Sequence, residues 1–211
     1  MPFQLPPLYP ILDSLFLPSQ NRQAFLEELV SELADAGVTL LQYRNKQGAE
    51  EEMLSDVEVI KQAAGTRLKL IMNDCPDLAV RADLEGVHVG QEDVSPVEAR
   101  RIVGPDRIVG ISTHNRAQLE VADRQPVDYI AIGPVFTTSS KQNPDPVVGL
   151  DGVREARQLT AKPLVAIGGI SLENVPVVLE AGADSVAVIS ALFGPGKDSA
   201  KIAKDFLTNF R

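Results

Sequence analysis

The chain has a single cysteine, Cys75, among 211 residues. An intrachain disulfide is therefore excluded, and so is a zinc site built from several thiolates. Such cysteine usage suits a reducing cytoplasm. Positive charge is also in deficit: 20 Lys and Arg stand against 29 Asp and Glu, a net charge of −9. A surface of that sign repels phosphodiester backbones, which argues against a nucleic-acid partner. An anionic small molecule would need local cations or a metal. The first ten residues are rich in proline and carry no Lys or Arg, so they do not read as a secretory leader. No apolar run approaches membrane-spanning length. No linker, charge block or low-complexity segment divides the chain, and one domain over residues 1–211 is expected.

What is there is an alternation of two kinds of segment. Eight short apolar runs are candidate strands: Leu8–Leu12, Thr39–Tyr43, Leu68–Met72, Gly86–Val89, Ile108–Ile111, Asp128–Ile132, Pro163–Ile167 and Ser185–Ile189. Several are apolar throughout, as in parallel strands covered on both faces. Amphipathic stretches separate them. Phe25, Leu26, Leu29, Val30 and Leu33 fall at helical spacing between Asn21 and Gly37, and Gly37 is placed to end that helix. Ser95-Pro96-Val97-Glu98 reads as a capping box with proline at the first helical position. Ser171 is placed to cap a helix carrying Val175, Val178 and Leu179. Ile202, Ala203, Phe206 and Leu207 mark a last helix. Eight β/α units predict a closed (β/α)₈ barrel of parallel strands with outer helices.

In such barrels the loops after the strands build the active site. Gln42, Arg44 and Lys46 alternate at the end of the second strand and so share one face. A guanidinium and an ammonium there make a polyphosphate clamp, and Gln42, deeper in, suits a heterocycle. The alternative is a solvated strand end. Asn73 and Asp74 end the third strand, and Asp93 follows the fourth; two carboxylates beside a polyphosphate suit Mg²⁺. Glu92 is an alternative ligand, and a turn-forming Asn-Asp is the structural alternative. Ser112 ends the fifth strand and can donate to a phosphate oxygen. His114 is a candidate base or an ordinary loop histidine. His88, inside an apolar strand, reads as a satisfied core histidine.

The segment from Gly133 to Gly149 lacks periodicity and carries Thr137, Thr138, Ser139, Ser140 and Lys141, good phosphate ligands on a long loop. Gly168-Gly169 after the seventh strand and Ile189-Ser190 at the end of the eighth mark the place where many barrels cradle a phosphate with backbone N–H groups. A glycine pair needed only for a tight turn is the alternative there. Two anion sites across one rim suggest two substrates.

These residues, taken in order, resemble the thiamine-phosphate synthase family. The resemblance rests on Gln42-x-Arg44-x-Lys46, Asn73-Asp74, Gly86 through Gln91-x-Asp93, Gly110 through His114, Gly133 through Lys141, Ile167-Gly168-Gly169-Ile170 and Ile189-Ser190. It implies an enzyme that joins an aminopyrimidine diphosphate to a thiazole phosphate and releases diphosphate. It further implies that Gln42, Arg44, Lys46, Asn73, Ser112 and Lys141 hold the pyrimidine diphosphate, within a segment that includes Tyr43 and Asn45. Arg44, Lys46, Ser112 and Lys141 would bear on catalysis, and Asp74 and Asp93 would hold Mg²⁺. Thr138, Ser139, Ser140, Gly169, Ile189 and Ser190 would hold the thiazole phosphate. Two positions depart from the family's pattern: Ser140 stands where threonine is frequent, and Thr137 where proline is common. No Ser-His-Asp or Cys-His arrangement is needed for such a reaction. A related thiazole tautomerase and a non-catalytic phospho-ligand barrel are the competing readings. Association into a homo-oligomer is left open.

Overall fold

A computed structural model of the chain describes residues 4–138 and 145–210. Eight parallel strands close into one barrel in sequence order, each neighbour hydrogen-bonded to the next. The strands are β1 (Leu8–Asp13), β2 (Leu40–Arg44), β3 (Lys69–Asn73), β4 (Gly86–Val89), β5 (Ile108–Thr113), β6 (Tyr129–Ile132), β7 (Leu164–Ile167) and β8 (Ser185–Val188). Closure is made by β8 lying beside β1, with Leu8 opposite Val186 and Pro10 opposite Val188. The helices are α1 (Arg22–Asp35), α2 (Glu50–Ala64), α3 (Pro76–Arg81), α4 (Pro96–Val103), α5 (Arg116–Asp123), α6 (Gly149–Leu159), α7 (Val175–Glu180) and α8 (Ser199–Thr208). Among the described residues, no helix is long and apolar enough to cross a membrane.

Alternation along each strand sorts side chains into two cores. The larger lies between sheet and helices and takes Leu8, Leu41, Tyr43, Leu70, Val87 and Val109 from the strands. It meets Leu26, Leu29, Val30 and Leu33 of α1. The smaller core fills the barrel: Tyr9, Ile11, Leu40, Ile71, Ile108, Tyr129, Ala131, Val165 and Ala187. Every strand thus carries one set of residues outward to a helix and another inward toward the axis, which points the inward residues at strand ends into the rim.

Three local expectations change. Phe25 lies beside the buried stripe of α1 and stays 39% exposed. Ser95 caps α4 by accepting from the Glu98 N–H at 3.2 Å, but the Glu98 carboxylate turns to Arg101 at 2.6 and 2.9 Å. The box is therefore half formed, because an adjacent guanidinium outbids a backbone N–H for a carboxylate. Ser171 does not cap α7 with its side chain. A turn intervenes: the Asn174 side chain accepts from the Ser171 N–H at 2.8 Å, and the Ser171 carbonyl accepts from Val175 at 2.9 Å.

Candidate active site

The carboxyl ends of the strands surround a cleft of about 680 Å³, a size that suits small-molecule ligands. Gln42, Arg44 and Lys46 all line it, as β2 alternation requires. Gln42 is buried, Arg44 half-buried and Lys46 exposed, so polarity rises along one face from barrel interior to solvent. Both cations have a carboxylate partner. Arg44 pairs with Asp13, its register neighbour at the end of β1. Asp13 is 3% exposed and also accepts from the Leu15 N–H at 3.0 Å. It fixes the guanidinium before any ligand arrives. Sequence reasoning passed over Asp13; the signal was an acid closing an apolar strand.

Lys46 pairs with Asp74. Asp74 follows β3 in the left-handed region (φ 63°), and its N–H donates to the His88 carbonyl at 2.7 Å. That bond folds the end of β3 over β4, toward Asp93, whose carboxylate accepts from the Gly90 N–H at 2.8 Å. Burial pushes the Asp74 carboxyl above its ordinary range, Lys46 pulls it down, and Asp93 pushes it up again. The net direction is upward, with burial the leading cause. Two carboxylates and one ammonium leave a net negative charge that a divalent cation with phosphate oxygens in its shell would balance. Among the described residues, no group of three or more His, Cys, Asp or Glu gathers as a metal cage. Two aspartates could hold Mg²⁺ only with most of its shell left to ligand oxygens and waters. Glu92 also lines the cleft, exposed at its edge.

Asn73 and Ser112 line the same side of the cleft. The Gln91 amide donates to the Ser112 carbonyl at 2.6 Å, tying the loop after β4 to the end of β5. Tyr43 and Asn45 do not line the cleft. Tyr43 points outward between sheet and helices, and its hydroxyl donates to Asp56 at 2.6 Å. Arg22 holds the other side of that buried carboxylate. Asn45 shapes the turn after β2, its side chain accepting from Gly48 and Gln47 and donating to Glu52.

Another part of the cleft is lined by glycines and residues just past β7 and β8. Gly168, Gly169, Ile189 and Ser190 line it, with Thr138. Gly169 has φ 65°, and a Cβ there would stand 2.6 Å from the Thr137 carbonyl oxygen. The Val135 and Phe136 N–H groups donate to the Ile167 and Gly168 carbonyls at 2.9 and 3.0 Å. The glycine pair therefore also serves as the seat on which the loop after β6 rests, a role for close approach rather than for phosphate alone. Ile189 and Ser190 lie just past β8, in a turn closed by the Phe193 N–H on the Ile189 carbonyl. Lys197 donates to the carbonyls of Ser190 and Ala191. Ser139, Ser140 and Lys141 lie outside the described residues.

His114 lines the cleft, but both ring nitrogens face protein groups: Nδ1 meets the Gly133 carbonyl at 2.7 Å and Nε2 the Asp145 carboxylate at 3.5 Å. His88 is a satisfied core histidine, as read. It joins Ser112 and Tyr129, each at 2.8 Å, and burial lowers its pKa to about 4. The sequence put His88 in the core; its polar partners are recruited from β5 and β6 and were not legible in the chain order.

A sequence model of the thiamine monophosphate synthase family matches residues 8–192. The thiamine-phosphate synthase of Koribacter versatilis (strain Ellin345) is 53% identical over 204 residues, covering 97% of this chain and 95% of that protein. The corresponding protein of Agrobacterium fabrum is 45% identical over 80% of this chain and 79% of its own length. Among solved structures, a thiamine phosphate pyrophosphorylase from Pyrococcus furiosus superposes with a TM-score of 0.83 at 31% identity, covering 96% of this chain and 94% of that one. A 3-hexulose-6-phosphate synthase, 18% identical with a TM-score of 0.66, shares the barrel alone. The chain belongs to the thiamine monophosphate synthase family.

Proposed function

We propose that this chain joins a 4-aminopyrimidine carrying a methyl diphosphate to a thiazole phosphate, releasing diphosphate, with Mg²⁺ taken up at Asp74 and Asp93. One observation carries the reading: Arg44, Lys46, Asn73 and Ser112 line one cleft together with Gly168, Gly169 and Ser190. A diphosphate needs the first group and a monophosphate suits the second.

The chemistry asks for charge stabilisation rather than a nucleophile. The methylene C–O bond breaks and its electron pair leaves with the diphosphate. The electron-rich aminopyrimidine spreads the positive charge left on the methylene carbon. The thiazole nitrogen then gives its lone pair to that carbon, so one C–O bond is exchanged for one C–N bond and no proton need move. Bound Mg²⁺ would neutralise charge on the departing diphosphate. Arg44 is held in place by Asp13, so its guanidinium needs no reorganisation when the leaving charge develops. Lys46 lines the cleft while paired with Asp74, and could exchange that carboxylate for the diphosphate. Gln42 and Ser112 both line the cleft; Gln42, at the buried end of the same face, would take the ring, and Ser112 a phosphate oxygen. Lys141, on the loop after β6, is assigned to the diphosphate on sequence grounds.

The test is diphosphate release with both substrates, with and without Mg²⁺. Release that requires both substrates and the metal is expected. Release of no diphosphate, with isomerisation of the thiazole ring alone, would favour a tautomerase.

A further inference from the structure

The interior of a barrel like this one is normally filled by branched apolar side chains. Here a polar chain crosses it. The Gln42 Nε2 donates to the Tyr9 hydroxyl at 2.8 Å. The Tyr9 and Tyr129 hydroxyls are 2.9 Å apart. The Tyr129 hydroxyl lies 2.8 Å from His88 Nδ1, and His88 Nε2 lies 2.8 Å from Ser112 Oγ. The side chains come from β2, β1, β6, β4 and β5 in turn. Gln42 and Ser112, the two ends, line the cleft, as does His88, while Tyr9 and Tyr129 are at most 1% exposed.

The chain is packed into one geometry. Tyr9 and Tyr129 meet edge to face, with centroids 5.8 Å apart. His88 stacks on Tyr129 at 5.5 Å and 24°. Gly110 of β5 makes room: a Cβ there would stand 2.0 Å from the Tyr129 ring. Apolar residues of the same volume would fill this space at least as stably, because buried polar networks gain little net energy over good packing. A specifying role accounts for the polar choice.

We propose that Tyr9, Tyr129 and His88 are positioning residues that fix which hydrogen-bonding faces Gln42 and Ser112 turn to the pyrimidine diphosphate, and thereby select a 4-amino over a 4-oxo ring. This rests on the function proposed above. Each phenol has one proton to give. With Tyr9 accepting from Gln42, a continuous chain passes the Tyr9 proton to Tyr129 and the Tyr129 proton to His88 Nδ1. His88, accepting at Nδ1, then carries its proton on Nε2 and donates to Ser112 Oγ. The Ser112 proton is thereby turned away from His88 and toward an acceptor in the cleft, such as a phosphate oxygen. At the other end, the Gln42 carbonyl oxygen and second N–H remain for the ring: an acceptor for an exocyclic amine beside a donor for a ring nitrogen. Reversing the chain would require Gln42 to turn its carbonyl to Tyr9 and its amide nitrogen to the ligand, which matches a 4-oxo ring.

Two measurements test this. The first is kcat/KM for the 4-amino substrate relative to its 4-oxo analogue in wild type, Tyr9→Phe and Tyr129→Phe. Wild type should prefer the amine, and either variant should lower the ratio about tenfold, the worth of one fixed hydrogen bond. If both substrates slow in proportion and the ratio is unchanged, the phenols only pack, and the proposal fails. The second needs no turnover: the ¹⁵N ring shifts of His88, one of two histidines in the chain, at pH 7. An Nε2–H tautomer is expected in wild type and a mixture of tautomers in Tyr129→Phe. An Nδ1–H tautomer or an imidazolium in wild type overturns the chain's direction. A wild type with the expected tautomer but no turnover of the amino substrate would instead contradict the proposed function.

Discussion

The two walls of the cleft are built differently. The wall from β1 to β5 uses side chains, each with a partner that holds it: Asp13 for Arg44, Asp74 for Lys46, Tyr9 for Gln42 and His88 for Ser112. The wall from β6 to β8 carries glycines that admit a neighbouring loop where a side chain would collide. The first kind of wall can place charge where charge develops, at the cost of desolvating it. The second can bind a phosphate through N–H groups at no cost in side-chain entropy, and it discriminates less. Charge-changing substitutions should therefore act on one wall and shape-changing substitutions on the other.

The largest effect is expected at the carboxylates. Asp74→Ala or Asp93→Ala should cost on the order of 10³-fold in kcat/KM while the fold survives, since both lie past their strands and outside either core. Steady-state rates across a magnesium titration check this, and wild-type-like rates at low magnesium would remove the metal from these residues. Next comes a contrast between two groups near the loop after β6. Lys141→Ala should cost about 10²-fold in kcat, the loss typical of one transition-state donor. His114→Gln should keep at least roughly a tenth of activity, because loss of a general base would cost about 10²–10⁴-fold and its nitrogens already face Gly133 and Asp145. The reverse order would make the histidine the acting group.

On the glycine-bearing wall, Gly169→Val should raise KM for the thiazole phosphate about tenfold or more, an obstruction effect. The added side chain meets the Thr137 carbonyl and Phe136. Ser190→Ala should change that KM by no more than roughly threefold, because a backbone cradle does not need the hydroxyl. Equal effects of the two variants would erase the difference between the walls. Smallest for catalysis is Tyr43→Phe. It should leave both KM values unchanged yet cost about 1.5–3 kcal/mol in denaturant unfolding, the loss of a hydrogen bond to a buried charge. A raised KM for the pyrimidine diphosphate would place Tyr43 in the cleft after all.

The barrel was legible in the sequence because parallel strands covered on both faces leave continuous apolar runs, and β4 is bounded at Gly86 and Val89 as read. Four others end one or two residues later, where a polar terminal residue still pairs: Asp13, Arg44, Asn73 and Thr113. Three are one residue shorter than read, β6 and β7 at the start and β8 at the end. Gln42, Arg44 and Lys46 were legible as one face because a strand's period is two. Tyr43 and Asn45 fell within the same segment, but the period that brings Gln42 into the cleft sends Tyr43 out of it. What the sequence did not disclose was pairing between strands. Asp13 with Arg44, and Tyr9 with Tyr129 and His88, are neighbours only once the barrel closes, and no local spacing announces them.

The division of labour between the walls is tested most directly by measuring both KM values in Arg44→Gln, which removes the charge but leaves Asp13 an amide donor. The account predicts a rise of about tenfold or more for the pyrimidine diphosphate, the worth of a charge-assisted pair, with the thiazole phosphate unchanged. A comparable rise for the thiazole phosphate would contradict it, because a single shared anion site would then stand where two are described.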